Sequence, residues 1–599
     1  MSSKGTVLTE SKREATLKSG MSTQTETYTY EYNTSGLLAK TKHKLNTNSE
    51  VTLHQYTYND IGQLTGKTNG GISSAAETYT YNVRSWLKTI SSTLFSETLY
   101  YNDTYGGSTA QYGGNVSAMT WNADSKTRGY KFTYDNLLRL TKADYMENGS
   151  TSTHYKTEYT YDRMGNFLTL KRYGKQNNTT YSQIDILSFT YTGNQVTRID
   201  DSGYTPSYTD AFNFVNGASQ SGEYTYDQNG NMTKDLNKNI SSIGYNLLNL
   251  PTNITYSSGK SAAYIYDATG RKLRTSYKAS ASATAVPTDY CGNMIYENNV
   301  LKQALIDGGY ITFSGTAPYY HFYLQDHLGN NRVVVSPAGT AEQINHYYPF
   351  GGLFGESTGN AVQRFRYNGK ELDRTHGIDW YDYGARHMSP DAGRFTTIDP
   401  MAEKYYNISP YAYCANNPVN AFDPDGKEVI NKFDKSTVPG QKASDIFINK
   451  INDLSNAIII FAHGAGRGSG LSVNNEGITQ HISVPYELET FLENNSEIWN
   501  NRFINGYDLK IILFSCETGS EGKFAQTLSM DESFQNIKII APADNVTIYG
   551  DGTSSVDNNS TWVEYTNGNV SNKYNGSLLP GTTEFEESSY WEKTDISFK

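Results

Sequence analysis

The sequence predicts a mainly β array of hairpin repeats followed by a smaller α/β domain with three layers and a mainly parallel sheet. Three observations point there. Tyrosine is in excess, 50 residues against 23 Phe and 6 Trp, with 52 glycines beside it. A short aromatic motif recurs over the first two thirds. The last third changes both composition and hydrophobic rhythm. Tyr suits strands and carries a polar end that tolerates a half-wet face. A mean hydropathy of -0.62 with 13% aromatics therefore does not read as general disorder.

The repeat is aromatic-x-Tyr-(Asp/Asn), then a turn with Gly or Asn, then an apolar residue. Tyr56-Thr57-Tyr58-Asn59, Tyr159-Thr160-Tyr161-Asp162, Tyr224-Thr225-Tyr226-Asp227 and Tyr264-Ile265-Tyr266-Asp267 are the clearest copies. Weaker copies begin at Tyr30, Tyr79, Tyr100, Phe132 and Ile243. Aromatics two apart share one face of a strand. The Asx side chain opens a turn, and Gly three residues later supplies a positive φ. Each copy is thus a hairpin that must stack on its neighbours. The tyrosines are read as packing residues rather than a sugar-binding ladder.

Residues 320–426 carry denser motifs. These are Asp326-His327-Leu328-Gly329-Asn330, His346-Tyr347-Tyr348-Pro349-Phe350-Gly351, Arg366-Tyr367-Asn368-Gly369-Lys370-Glu371, Trp380-Tyr381-Asp382-Tyr383-Gly384-Ala385-Arg386, Tyr411-Ala412-Tyr413-Cys414 and Asp423-Pro424-Asp425-Gly426. The array resembles the YD repeats of Rhs proteins and of the shell component of insecticidal toxin complexes. The dense segment closely resembles the Rhs repeat-associated core. That resemblance implies a hollow β-shell, here a partial cocoon because the array is short. It also implies a C-terminal toxin, and a core that cuts the chain after Asp-Pro-x-Gly. The family's aspartic pair and supporting Arg fall by motif on Asp399, Asp423 and Arg386, with the cut near Gly426–Lys427. Two carboxylates held close divide the roles of acid and base. The same residues also suit turns and a structural ion pair. Lys427 departs from the Leu the family often has there. His327 is read as a buried structural group.

The expected domains are 1–319 (repeats), 320–426 (core) and 427–599 (effector, its own core about 443–550). Residues 427–599 hold 13 Lys and Arg against 23 Asp and Glu, a net -10 of the chain's -11. There, buried-type strands 457–462, 509–515 and 537–541 alternate with helical patterns at 444–454, 485–492 and 522–528, which reads as a parallel sheet. His463-Gly464 follows the first strand and Ser515-Cys516-Glu517 ends the second. A His beside a Cys can activate the thiolate, and glycine N–H groups can hold an oxyanion. This order resembles caspase-like (clan CD) cysteine peptidases. It implies Cys516 as nucleophile, His463 as base, Gly464 as oxyanion donor, and Ser515 and Glu517 flanking the pocket. Residues 550–599, polar and rich in Asn, Ser and Glu, are expected to be loop-like or peripheral.

The function read from the sequence is an Rhs-type polymorphic toxin, secreted or at the cell surface, acting on a target protein and countered by an immunity protein. A larger shell or a secretion apparatus would be its partner. The alternatives are a surface or wall-associated interaction protein with a non-catalytic C-terminal domain, and another cysteine-based toxin such as a deamidase. No cofactor or metal is expected. Cys291, Cys414 and Cys516 are too few and too scattered for a metal ribbon or disulfide framework. Gly464-Ala465-Gly466-Arg467-Gly468 lacks the Gly-Lys-Ser/Thr end of a P-loop. The acidic balance disfavours nucleic acid. No apolar run has membrane-spanning length, and the first residues show no signal peptide.

Overall fold

The computed structural model describes residues 9–427 except 208–211, 404 and 407, then 429–431, and beyond these 457–461, 463–464, 471–475, 478–482, 510–514, 528–530, 538–542, 546–548, 554–556, 561–566 and 569–575. The chain divides into two compact units, Leu8–Asp434, and Lys435–Lys599 together with Met1–Val7.

The first unit is nearly all β. Strands from Glu10–Ala15 to Gln195–Asp201 form one antiparallel sheet in which almost every strand pairs with its neighbours in sequence. Strands from Tyr224–Tyr226 to Ala341–Ile344 form a second such meander. Among the described residues nine turns are built alike, at Asn33, Asn59, Asn82, Asp135, Asp162, Asp227, Asn246, Asp267 and Asp326. In each, the Asx Oδ1 accepts the N–H four residues on, and its main-chain N–H donates to that residue's carbonyl. The residue at the third position after the Asx has a positive φ, from +58° to +87°. Glycine takes that place in six of the nine; Ser85, Leu138 and Asn249 take it in the others.

The two tyrosines of a copy face inward, as the spacing requires. Tyr159, Tyr224 and Tyr264 are buried, and the residue after each is exposed. The second tyrosine ties its hairpin to the previous one. Tyr58, Tyr161 and Tyr245 donate their hydroxyls to the carbonyls of Leu38, Leu140 and Met232, the residues that follow the preceding turns, at 2.8, 2.5 and 2.6 Å.

The copy expected at Tyr100 does not form this turn. Strand Ser96–Tyr100 pairs with Ala118–Asn122 across a long connection. Gly106 stands three residues after Asp103 at φ +59°, but Asp103 Oδ1 accepts the N–H of Tyr101 behind it.

Residues 345–421 pack on the inner faces of both meanders in one apolar cluster. Phe354 stacks on Tyr155 at 3.8 Å between centroids, and Phe350 meets Tyr159 and Phe167. Asn416 Nδ2 donates to Gly165 O and Tyr411 Oη to Gly230 O, both at 2.7 Å, so this plug also grips the repeat turns.

In the second unit, Ala457–Phe461, Lys510–Phe514 and Lys538–Pro542 are parallel neighbours, followed by antiparallel Thr561–Thr566 and Asn569–Asn575. The expected helices lie outside the described residues, apart from Leu528–Met530. The tail, expected to be loop-like or peripheral, is not loop-like at 561–566 and 569–575, where it adds two strands at one edge of the sheet. Val563 and Tyr565 are buried there, and Thr566 pairs with Asn569 across two residues. Those two are Asn567-Gly568, the strongest short hairpin signal. The polar composition around them hides the alternation.

Candidate self-processing site

The last described turn of the first unit reuses the repeat's chemistry. Asp423 Oδ1 accepts the N–H groups of Asp425, Gly426 and Lys427 at 3.1, 2.6 and 3.2 Å. Gly426 stands at φ +81°. Ala421–Phe422 and Ile430–Asn431 flank the turn as a short hairpin. Here, however, the second carboxylate oxygen is turned inward.

Arg386 organises the site. Its Nη2 lies 2.9 Å from Asp399 Oδ2 and 3.2 Å from Asp423 Oδ2, so one nitrogen bridges both carboxylates. Its Nε donates to Gly426 O at 2.6 Å, and Nη1 to Pro410 O at 3.2 Å. The guanidinium is stacked 3.6 Å from the Phe395 ring centroid. All three sequence-predicted residues of the self-cleavage site are thus brought together and buried, around the carbonyl where the cut was expected. Asp399 Oδ1 is held by the N–H of Met401.

Two further residues, missed in the sequence, hold the turn. Ala385 N–H donates to Asp425 O at 3.1 Å, and the Lys370 ammonium donates to Pro424 O. With Arg386, three consecutive carbonyls, 424 to 426, are gripped by the plug. No local spacing encodes a contact between residues 370 and 424.

Burial pushes both Asp399 and Asp423 above the ordinary carboxylate range, against the pull of Arg386. Burial also lowers Lys370, opposed by Asp382, Asp423 and Asp425. The pair is therefore biased to keep a proton, the state an acid–base pair needs. Gly426 is buried and Lys427 exposed, so the peptide bond between them runs from the site to solvent.

In the second unit, His463–Gly464 forms a two-residue strand, pairing His463 with Ser472 and Gly464 with Leu471. Ser515, Cys516 and Glu517 lie outside the described residues. Among the described residues, no helix is long and apolar enough to cross a membrane.

Fold and site define a class of protein: a β-hairpin repeat array with an irregular plug that grips the turn at 423–427. No family model matches the chain. It is 33% identical over 228 residues to salivary gland surface protein 1 of Aedes aegypti, covering 34% of this chain and 7% of that one. It is 32% identical over 120 residues to toxin subunit YenC2 of Yersinia entomophaga, covering 19% and 12%. It is 26% identical over 278 residues to the tRNA nuclease WapA of Bacillus subtilis, covering 42% and 12%. The crystal structure of TcdB2-TccC3 without its hypervariable C-terminal region aligns with 67% of this chain and 20% of that one, at 19% identity and a TM-score of 0.48. The chain spans only about a tenth of the length of these curated relatives. The likenesses support the Rhs/YD-repeat family, and none of them supports a caspase-like C-terminal domain.

Proposed function

We propose that this chain is the carrier and effector portion of an Rhs-type polymorphic toxin that cuts itself between Gly426 and Lys427. The observation that carries the reading is the Arg386 N–H on Gly426 O, with both carboxylates on the same guanidinium. Water adds to the Gly426 carbonyl carbon, and Asp399 takes the water's proton. Arg386 Nε–H holds the oxygen as it becomes negative, the task of an oxyanion donor. Asp423, protonated at the outset, gives its proton to the Lys427 nitrogen as the C–N bond breaks; in the resting turn its Oδ1 accepts that N–H at 3.2 Å, which places the carboxyl beside the leaving nitrogen. Replacing Asp399 or Asp423 by Asn keeps the chain whole; processing at an unchanged rate in both variants refutes the assignment.

The released part, residues 427–599, is proposed to be a cysteine-peptidase-like effector using His463 and Cys516, with Gly464 as oxyanion donor and Ser515 and Glu517 beside the pocket. The parallel register supports this. Phe461 pairs with Phe514, and His463 and Cys516 each follow two residues later in sequence. Ends of parallel strands are where such sites are built. Its target is a protein substrate, with an immunity protein as the natural antagonist and export to the cell exterior implied. Expressing 427–599 in a host, with and without Cys516→Ala, tests it: growth arrest relieved by the substitution is expected, and equal growth of both sinks it.

A second reading, a surface interaction protein without a toxic cargo, is favoured by the likeness to the Aedes aegypti surface protein. Equal growth would leave that reading standing.

A further inference from the structure

A second buried charge cluster lies outside the Asp399/Asp423 site. It joins Glu97 on strand Ser96–Tyr100 to Asp326, His327 and Arg332, at the turn into strand Asn331–Val335. All four are at most 5% exposed. Arg332 Nε donates to Asp326 Oδ2 at 2.7 Å. His327 Nδ1 stands 3.0 Å from Glu97 Oε1, and Nε2 stands 2.9 Å from Val419 O.

A carbonyl can only accept, so Nε2 carries hydrogen. Glu97 is an acceptor too, and its Oε2 already takes the main-chain N–H of His327 at 3.0 Å. Both ring nitrogens therefore face acceptors, which an imidazolium satisfies and a neutral ring does not. The charges agree. Two carboxylates, a guanidinium and an imidazolium sum to zero, whereas a neutral ring leaves one buried negative charge uncompensated.

A divalent cation is the rival occupant, since the three ligand-type side chains converge within 4.8 Å. Asp326 argues against it. Its Oδ1 accepts from Leu328 and Asn330 N–H, and its Oδ2 from Asn330 Nδ2 and Arg332 Nε. A cation would have to displace those donors beside a guanidinium.

We propose that His327 is a positioning residue, a charged clasp that fastens the chain at Val419 to the first sheet and so holds Asp423, four residues on, against Arg386. The second half of this statement rests on the self-cleavage reading. The groups facing the ring are Glu97 from the first sheet, with Tyr101 beyond it; Asp326 and Arg332 from its own turn and strand; and the Val419 carbonyl from the plug, with Tyr347 and Tyr367 around Asp326. Burial is the largest influence and opposes the charge, but Glu97, Asp326 and the Val419 carbonyl together overcome it, so His327 is raised. A raised histidine contributes stability below its unfolded pKa and loses it as pH rises through the folded one. The clasp is closed in acid and opens in base.

The test uses the full chain carrying Asp399→Asn, with and without His327→Gln, and reads the thermal midpoint from about pH 6 to about pH 9. His327→Gln is expected to lower the midpoint by about 2 °C or more at the acid end and to converge with its parent at the alkaline end. Parallel curves overturn the proposal, as does a midpoint that falls on adding EDTA, which assigns the cluster to a metal. If His327→Gln does not fold, Glu97→Gln is expected to show the same convergence. In the otherwise unaltered chain, His327→Gln is expected to slow appearance of the fragment about tenfold near neutrality and not in base. Should the parent never cut, the self-cleavage reading fails while the midpoint curves still judge the clasp.

Discussion

Gly426→Ala isolates the grip on the expected cut site without touching a charge. The backbone there stands at φ +81°, and a Cβ would meet Arg386 N at 2.9 Å and Ala385 N and Tyr383 Cβ at 3.3 Å. Two of these neighbours are backbone atoms of the segment that holds the turn, so they cannot swing aside. The left-handed conformation costs a non-glycine residue about 1–2 kcal/mol. Crowding against packed atoms adds about 1–2 kcal/mol more. The cheapest relief is to lift the turn off Arg386, which forfeits the 2.6 Å contact to Gly426 O. At about 1.4 kcal/mol per factor of ten, processing should slow about 30- to 1000-fold. The global fold, held by the plug's aromatic cluster, should lose little. The assay is intact mass against time, with a thermal melt as control. Processing within about threefold of the parent, in a folded variant, would refute the argument that this carbonyl is the one attacked.

Other outcomes follow from the same geometry. Leu138 occupies the glycine place of a repeat turn at φ +61° and is 53% exposed; Leu138→Gly should stabilise the first unit by about 1 kcal/mol in denaturant titration. Tyr161→Phe removes the hydroxyl bond to Leu140 O between adjacent hairpins and should cost about 1–2 kcal/mol in the same titration. Processing should quicken as pH falls from neutrality, which protonates Asp423, and slow again once Asp399, the base, is protonated too. Burial raises both Asp399 and Asp423, and a raised carboxyl is favoured in its neutral form below its folded pKa and loses that form as pH rises through it. A rate that climbs steadily into base would contradict this.

The repeat turns were legible because their signal is local. At Asp162 the Asx and Gly165 sit three residues apart, and the turn they form needs nothing else. The same logic would have found the Asn567-Gly568 hairpin, had the polar run around it not concealed Val563 and Tyr565. The Tyr100 copy failed for a different reason: Tyr100 and Tyr101 are adjacent rather than two apart, so they do not share a strand face, although Gly106 stands three residues after Asp103. Asp399, Asp423 and Arg386 were found through a family resemblance alone. No periodicity links positions 386, 399 and 423, and the plug's irregular path brings them together. Lys370 and Ala385 lie inside the core's motifs, but neither an ammonium nor a main-chain N–H that reaches a distant carbonyl leaves a pattern of its own in sequence. His327 was rightly read as buried, but its partners Glu97 and Val419 come from distant segments. His463 lies in a short strand, and Cys516 lies outside the described residues.

The central claim is that the plug holds Gly426–Lys427 as its own substrate. The most direct measurement is the intact mass of the purified full-length chain over time at mildly acidic pH. The account predicts two species, one ending at Gly426 and one beginning at Lys427, and a single uncut species for Asp423→Asn. A chain that keeps its full mass, or one cut elsewhere and equally in the variant, would contradict it.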